Sequence, residues 1–413
     1  MLVSNSFSDS SFMSGSTVSH PRVTSATVRS GLSRPQWVRG YRPLADPDLA
    51  GVKIGVTGAG GFIGGRLVER LTLEHDALVQ ATVRSWHSAV WISRYNAAIH
   101  SANVQDTASL TTAFEGCDVV VHCANGGNRP EEIWATNVGG TENVIQACLD
   151  TKVRRLVFVS SIAVHGCQPP NGVDELSPYD FEGSVYSRSK IAAERLVKAV
   201  HRSGDLETVI IRPTFVWGPR SALFSVRPLQ AMQQGRFRLV NQGSGDCHAV
   251  FVETVVDALI RASAVQAAAG RAFLVADDFG IQWRDFYAAY AQMLNLDPDQ
   301  LLSVDAKRLT TRGQAFLYGL LKRKLEDWKG NPAPLWRKVL RRSSRIVADK
   351  LAAGGAMNLW DLRKQARQGS LNTDAMQRVL KVRSRYSFND AMELTEQWLR
   401  DQACLPLDGS NPR

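Results

Sequence analysis

No stretch of this chain approaches the roughly 20 uninterrupted apolar residues that a membrane-spanning helix needs, which excludes an integral membrane protein. Cys-x-x-Cys pairs are also absent. The six cysteines lie mostly in apolar text such as Val119-Val120-Val121-His122-Cys123, which fits reduced, buried thiols in a cytosolic compartment better than disulfides or zinc. No metal site is expected. Residues 1–48 lack a periodic apolar face and the continuous apolar core of a secretory signal. Being rich in Ser, dotted with Arg and poor in acids, they read as a disordered tail, with a transit peptide as the alternative. Acids are scarce again between Lys307 and Arg345, where twelve Lys or Arg face only Glu326 and Asp327. That segment accounts for the whole net charge of +10, so the remainder is near neutral and no nucleic-acid partner is expected.

What is present is an alternation of short apolar runs with helical periodicity. Runs at 52–57, 78–83, 119–123, 156–160 and 209–212 read as strands, and the text between them carries apolar residues three and four apart. Strands alternating with helices imply an α/β fold, a Rossmann-type doubly wound parallel sheet, expected over residues 49–280. A smaller C-terminal substrate lobe is expected over 281–413. Contributions to it come from 166–183 and 221–248, and a basic amphipathic insertion falls at about 305–347.

After the first strand comes Thr57-Gly58-Ala59-Gly60-Gly61-Phe62-Ile63-Gly64, followed at once by helical text. Glycines at 58, 61 and 64 let backbone and helix N-terminus approach a pyrophosphate, with Phe62 and Ile63 in the turn beside it. A glycine-rich run alone also describes a flexible loop. Between a strand and a helix, with a second apolar strand at the expected distance, it marks a dinucleotide site. The second strand ends in Arg84, where an NAD site commonly carries an acid. A guanidinium there suits a phosphate, which favours NADP(H) over NAD; the alternative is a solvated strand-end charge.

A strand ends at Ser160-Ser161, and Tyr186-Ser187-Arg188-Ser189-Lys190 opens a helix. Residues four apart share a helical face, so Tyr186 and Lys190 point into one cleft. Tyrosine is a poor base near neutrality, but a neighbouring ammonium favours its phenolate. Ser161 then hydrogen-bonds the substrate oxygen while Tyr186 moves a proton and nicotinamide exchanges a hydride.

In this order, these motifs resemble the extended short-chain dehydrogenase/reductase family, the NAD-dependent epimerase/dehydratase-like group. Val121-His122-Cys123-Ala124, Asn137-Val138-Gly139-Gly140-Thr141-Glu142-Asn143 and Arg212-Pro213-Thr214-Phe215-Val216-Trp217-Gly218-Pro219 carry the resemblance further. It implies that Asn137 supports the active-site helix, and that the backbone from Pro213 to Val216 lies against the carboxamide. It also implies that Asn103 and Val104 flank the adenine, and that Ala124 and Ser160 line the cofactor. A homodimer is implied as well.

Ile162 and Ala163 stand where 4,6-dehydratases of this family carry their Asp-Glu pair, so that elimination chemistry is not expected. The resemblance implies oxidation, reduction or epimerisation at a carbinol or ketone, foremost of a sugar or nucleotide sugar. The run 243–253 nevertheless lacks the Arg that grips a sugar-nucleotide diphosphate. Phe251-Val252-Glu253-Thr254-Val255-Val256-Asp257 resembles a strand of 3β-hydroxysteroid dehydrogenase-like members, and Ala81-Thr82-Val83-Arg84 one of dihydroflavonol-type reductases. An NADP-dependent dehydrogenase of a hydrophobic alcohol or ketone is the alternative, and a non-enzymatic nucleotide sensor or nucleic-acid-binding protein a minor one. His165 and Arg220 are candidate substrate contacts, His165 also reading as a cleft-wall residue. The basic segment, with Phe316, Leu317, Leu320, Leu321, Leu325 and Trp328 at helical spacing, either contacts an anionic membrane peripherally or packs on the substrate lobe. The expected setting is cytoplasmic.

Overall fold

The structure is a computed structural model that describes residues 47–127, 129–166, 171–305 and 365–405. The expected tail, most of the basic segment and Cys167 lie outside the described residues. In chain order the strands of the main sheet are β1 (Lys53–Thr57), β2 (Leu78–Val83), β3 (Ala98–Ser101), β4 (Val119–His122), β5 (Arg155–Val159) and β6 (Glu207–Pro213). The helices between them are α1 (Phe62–Leu73), α2 (Thr107–Phe114), α3 (Pro130–Trp134), α4 (Gly140–Asp150) and α5 (Val185–Ser203). Beyond them come β7 (Phe215–Trp217), α6 (Arg227–Gln233), β8 (Leu239–Val240), β9 (Ala249–Phe251), α7 (Val252–Ala264) and β10 (Ala272–Val275). The last elements are α8 (Trp283–Met293), β11 (Ser303–Val304) and α9 (Phe388–Asp401).

Seven strands form one parallel sheet in the order β10-β6-β5-β4-β1-β2-β3. The order reverses between β1 and β4, the switch point at which such sheets open a ligand crevice. Alternate residues of each strand enter opposite cores. Val119, Val121, Val157, Val159, Val209 and Ile211 pack with Leu67, Leu71, Val255 and Leu259 of α1 and α7. Val120, Leu156, Phe158 and Ile210 pack with Leu110, Phe114, Val144 and Val197 of α2, α4 and α5. Burial on both faces explains why these strands read as unbroken apolar runs. Each such side chain contributes about 1.5–3 kcal/mol when fully buried. No helix among the described residues is long and apolar enough to cross a membrane.

The run 251–257, expected as a strand, is corrected: β9 ends at Phe251 and Val252 opens α7. Every residue of α7 from Val252 to Ser263 is buried, so no exposed face distinguishes this helix from a buried strand in the sequence. On the substrate side β7 pairs with β9, Phe215 opposite Ala249, and β8 pairs with β11, Val304 opposite Val240. Trp217 fills this lobe, its ring 5.1 Å from Phe251, 5.3 Å from Phe286 and 5.9 Å from Phe388. Residues 365–372 lace it together. Gln365 Oε1 accepts from Val240 N (3.0 Å), Arg367 O from Asp246 N (2.9 Å), and Asn171 Oδ1 from Ser370 N (2.7 Å). Ser387 caps α9, its Oγ accepting from Asp390 N at 3.2 Å.

Candidate active site

The glycine-rich turn joins β1 to α1 at the switch point. Gly58 has φ +66°, and a Cβ there would sit 2.8 Å from Ala124 N; one on Gly64 would collide with the Gly58 carbonyl oxygen. Only glycines fit this cradle. Gly61 caps α1 without a side chain, and the first turn, with Phe62 and Ile63 half-buried, holds no acid. Its N–H groups and the positive end of the helix dipole therefore suit an anion, and the cradle fits the pyrophosphate of a dinucleotide.

Below the turn runs a polar thread that sequence reasoning missed. Ala124 N donates to Thr57 Oγ1 (3.3 Å), which bonds His122 Nδ1 (2.7 Å), and His122 Nε2 reaches Thr141 Oγ1 (3.2 Å). Thr141 donates onward to Asn137 O (2.7 Å), so His122 Nε2 carries the proton. Burial, reinforced by Lys190, pushes the pKa of His122 down to about 3 and keeps it neutral.

At the end of β2 Arg84 is exposed and none of the described residues pairs with it. Asn103 Oδ1 accepts from Gln105 N (3.1 Å), which leaves its NH2 group as the part able to meet a base. Val104 is buried beneath Gly140, and its carbonyl accepts from Asn143 Nδ2 (3.0 Å).

β5 delivers Ser161 and α5 delivers Tyr186 and Lys190 to one place. Ser161 Oγ accepts from Ala163 N (3.1 Å) and stands beside Tyr186, whose pKa it draws down. Lys190 Nζ donates to Val159 O (2.8 Å) and lies 4.9 Å from the Phe158 ring centroid. Burial pulls Lys190 down to about 8, against Cys123 and Glu194, which favour its charge. The expected phenolate is a point of difference: burial raises Tyr186 above the usual tyrosine value, and only Ser161 pulls the other way. In the protein alone Tyr186 keeps its proton. Asn137, buried in the π-turn Ala135–Gly139, accepts from Gly126 N (3.3 Å) and donates to Ser189 Oγ (2.9 Å), which donates to Tyr186 O (2.8 Å). Such single π-turns often mark functional sites. Pro213 ends β6, and Val216 O in β7 accepts from Ser221 Oγ (3.1 Å).

Three expected contacts take other roles. Ser160 turns its hydroxyl to Glu194 Oε1 (2.5 Å), so only its backbone remains for a cofactor. His165 is not a substrate contact: it is buried, Nε2 accepts from Arg212 Nη1 (3.1 Å), and Nδ1 donates to Pro178 O (3.0 Å). With both nitrogens committed and burial first lowering its pKa, it is a neutral wall residue. Arg220 leaves the Ser161 centre as well; its guanidinium lies 3.4 Å from the Trp91 ring centroid, and Trp91 packs on Gly65 of α1. Arg367 was not foreseen. It is 9% exposed, Nη2 donates to Ser370 O (3.2 Å), and Nε has no partner. Its backbone pairs with Asp246, so the far end of the chain brings a guanidinium to the run 243–253 that lacks one. Nothing local in the sequence signals this pairing.

The profile of the NAD dependent epimerase/dehydratase family matches residues 54–276. A 4-hydroxy-2-methyl-3-oxo-4-farnesyl-3,4-dihydroquinoline-1-oxide ketoreductase of Stigmatella aurantiaca is 31% identical over 241 residues, 56% of this chain and 70% of the relative. A 2-alkyl-3-oxoalkanoate reductase of Shewanella oneidensis is 26% identical over 258 residues, 58% of this chain and 64% of the relative. The solved UDP-glucuronic acid 4-epimerase of Bacillus cereus in complex with NAD superposes with a TM-score of 0.64 at 15% identity, over 85% of this chain and 99% of that one. At that identity the likeness shows the fold.

Proposed function

We propose that this chain, which belongs to the NAD-dependent epimerase/dehydratase family, is an NADP(H)-dependent oxidoreductase that interconverts a ketone and a secondary alcohol in a substrate bearing an anionic group. The observation that carries the reading is the convergence of Ser161, at the end of β5, with Tyr186 of α5, whose pKa Ser161 draws down, and Lys190 one turn further along the same helix. Hydride exchange at the substrate carbon is the chemistry a nicotinamide dinucleotide supplies when bound. Ser161 Oγ holds the substrate oxygen. Tyr186, which burial keeps protonated, gives its proton to that oxygen as it becomes a hydroxyl, and the Lys190 ammonium stabilises the phenolate left behind. Asn137, through Ser189, holds the turn of α5 that carries Tyr186. Gly58, Gly61 and Gly64 make room for the pyrophosphate, and Arg84 is placed for a 2′-phosphate, which supports NADP(H) over NAD.

Arg367, which lies beside Asp246 at the run that lacks an Arg of its own, is the candidate partner for the anionic group. The diphosphate of a nucleotide sugar and the carboxylate of a 3-oxo acid both qualify. The similarity to a 2-alkyl-3-oxoalkanoate reductase favours the oxo acid. The five described cysteines are free thiols, which supports a reducing, cytosolic setting. Homodimer formation and peripheral membrane contact complete the reading, to be checked by light scattering and by flotation with anionic liposomes.

The test is mass spectrometry of nucleotide released from never-supplemented protein, followed by NADPH oxidation assays with 2-methyl-3-oxodecanoate and with UDP-4-keto-glucose. Protein free of nucleotide that binds NADPH more tightly than NADH and reduces the oxo acid supports the proposal. Stoichiometric retained NAD, with UDP-glucose epimerised, would overturn it in favour of a sugar-nucleotide epimerase.

A further inference from the structure

We infer that Glu194 is a positioning residue for the reaction, tying the strand ends that present Ser161 and Pro213 to the helix that presents Tyr186 and Lys190. The inference rests on the catalytic reading above. Glu194 lies one turn beyond Lys190 on α5 and is fully buried. A carboxylate cut off from water must find its donors in the protein, and this one finds four. Oε1 accepts from Ser160 Oγ (2.5 Å) and Arg212 Nε (2.9 Å). Oε2 accepts from Tyr179 Oη (2.6 Å) and Arg212 Nη2 (2.6 Å).

The donors come from three different parts of the chain. Ser160 follows β5 and immediately precedes Ser161. Arg212 is the penultimate residue of β6 and immediately precedes Pro213. Tyr179 belongs to the crossing that leads from His165 into α5. Arg212 extends the tie, its Nη1 donating to Glu175 O (2.9 Å) and to His165 Nε2 (3.1 Å). A bidentate guanidinium fixes the plane of the carboxylate as well as its distance, so α5 can neither slide nor roll against the strand ends without breaking a buried charge-assisted bond.

Glu194 also governs the charge on Lys190. Around that ammonium stand Tyr186 and Glu194 on its own helix, His122 and Cys123 at the end of β4, and the Phe158 ring and Val159 carbonyl of β5. His122 is neutral, and burial raises the Cys123 thiol to about 12. Glu194 is therefore the one ionised carboxylate named among the groups that favour the Lys190 charge. Without it, Lys190 loses its proton at lower pH.

NADPH binding, read by nicotinamide fluorescence between pH 6 and 9.5, tests this in the wild type, Glu194→Gln and Glu194→Asp. Wild-type affinity is expected to fall as Lys190 deprotonates near pH 8. Glu194→Gln should bind within about threefold of wild type at pH 6 but at least tenfold more weakly at pH 8, with the midpoint moved down; Glu194→Asp should restore the midpoint. A loss of equal size at every pH supports the tie without the charge effect, and no loss at any pH overturns the inference. If Glu194→Gln does not fold, Tyr179→Phe decides, because it removes one donor and leaves the charge: affinity lowered several-fold at an unchanged midpoint supports the tie, and unchanged affinity overturns it. Wild-type protein that binds no NADPH at any pH would sink the catalytic reading, and this inference with it.

Discussion

Tyr186 shows how one side chain can be readable in identity and unreadable in state. Its spacing from Lys190 places both on one face of α5, yet its proton is held by burial, a property of the folded neighbourhood. Tyr186→Phe keeps the ring and removes the proton donor, so kcat should fall by about 10² to 10⁴ with KM little changed, as steady-state NADPH oxidation would record. Arg84→Ala should weaken NADPH by roughly ten- to a hundredfold, the worth of a charge-assisted hydrogen bond, and leave NADH within twofold; equal effects on both cofactors in fluorescence titrations would refute the phosphate role. Ser161, Tyr186 and Lys190 stood out in the sequence because each sits at a strand end or a fixed helical spacing, while Asn137, in a π-turn, came only from the family resemblance. Arg367 and Glu194 did not stand out, since their importance lies in partners from distant segments. His165 and Arg220 misled for the same reason: Arg212 and Trp91, which claim them, are not adjacent in the chain.

Between elements, the junction of α1 with α7 is built from charge as well as Leu and Val. Glu253 takes Arg66 Nε (2.6 Å) and Arg70 Nη1 (3.0 Å), while Asp257 takes Arg70 Nη2 (3.1 Å) and Arg385 Nε. Burial would raise Glu253, but Arg66 and Arg70 outweigh it and hold the carboxyl at about 2. A folded pKa below the unfolded value of 4.5 means that this stabilisation is present above pH 4.5 and lost as pH falls toward 2. Glu253→Gln should therefore cost about 1–3 kcal/mol near neutrality, since Arg66 and Arg70 lose a shared partner but keep Glu69, Glu74 and Asp257, and the gap to wild type in urea melts should narrow below pH 4.5. A gap independent of pH would mean that the pair contributes by packing alone. The helix carrying Glu253 was misread as a strand because every position from Val252 to Ser263 is buried, although Glu253, Asp257 and Arg261, four apart, carry a helical spacing. Five of the seven sheet strands were legible as apolar runs, whereas β3 and β10 were not expected.

Across the molecule, the alternation of strands and helices was enough to expect the parallel sheet and its switch point, whereas the lacing of the substrate side by residues 365–372 depends on pairings with Val240, Asp246 and Asn171. That lacing places both ends of the segment 306–364. Val304 pairs with Val240, and Val240 N donates to Gln365 Oε1, so the chain departs and returns at one residue of β8. Replacing 306–364 by a short Gly-Ser linker should leave Tm within about 2 °C, since closing a loop between adjacent anchors depends only weakly on its length. Differential scanning calorimetry would show a larger fall if the segment supports the lobe. A departure and a return at the same residue make Val240 a socket: a foreign cartridge, such as a fluorescent reporter or an affinity handle, can be plugged in there with its termini held side by side.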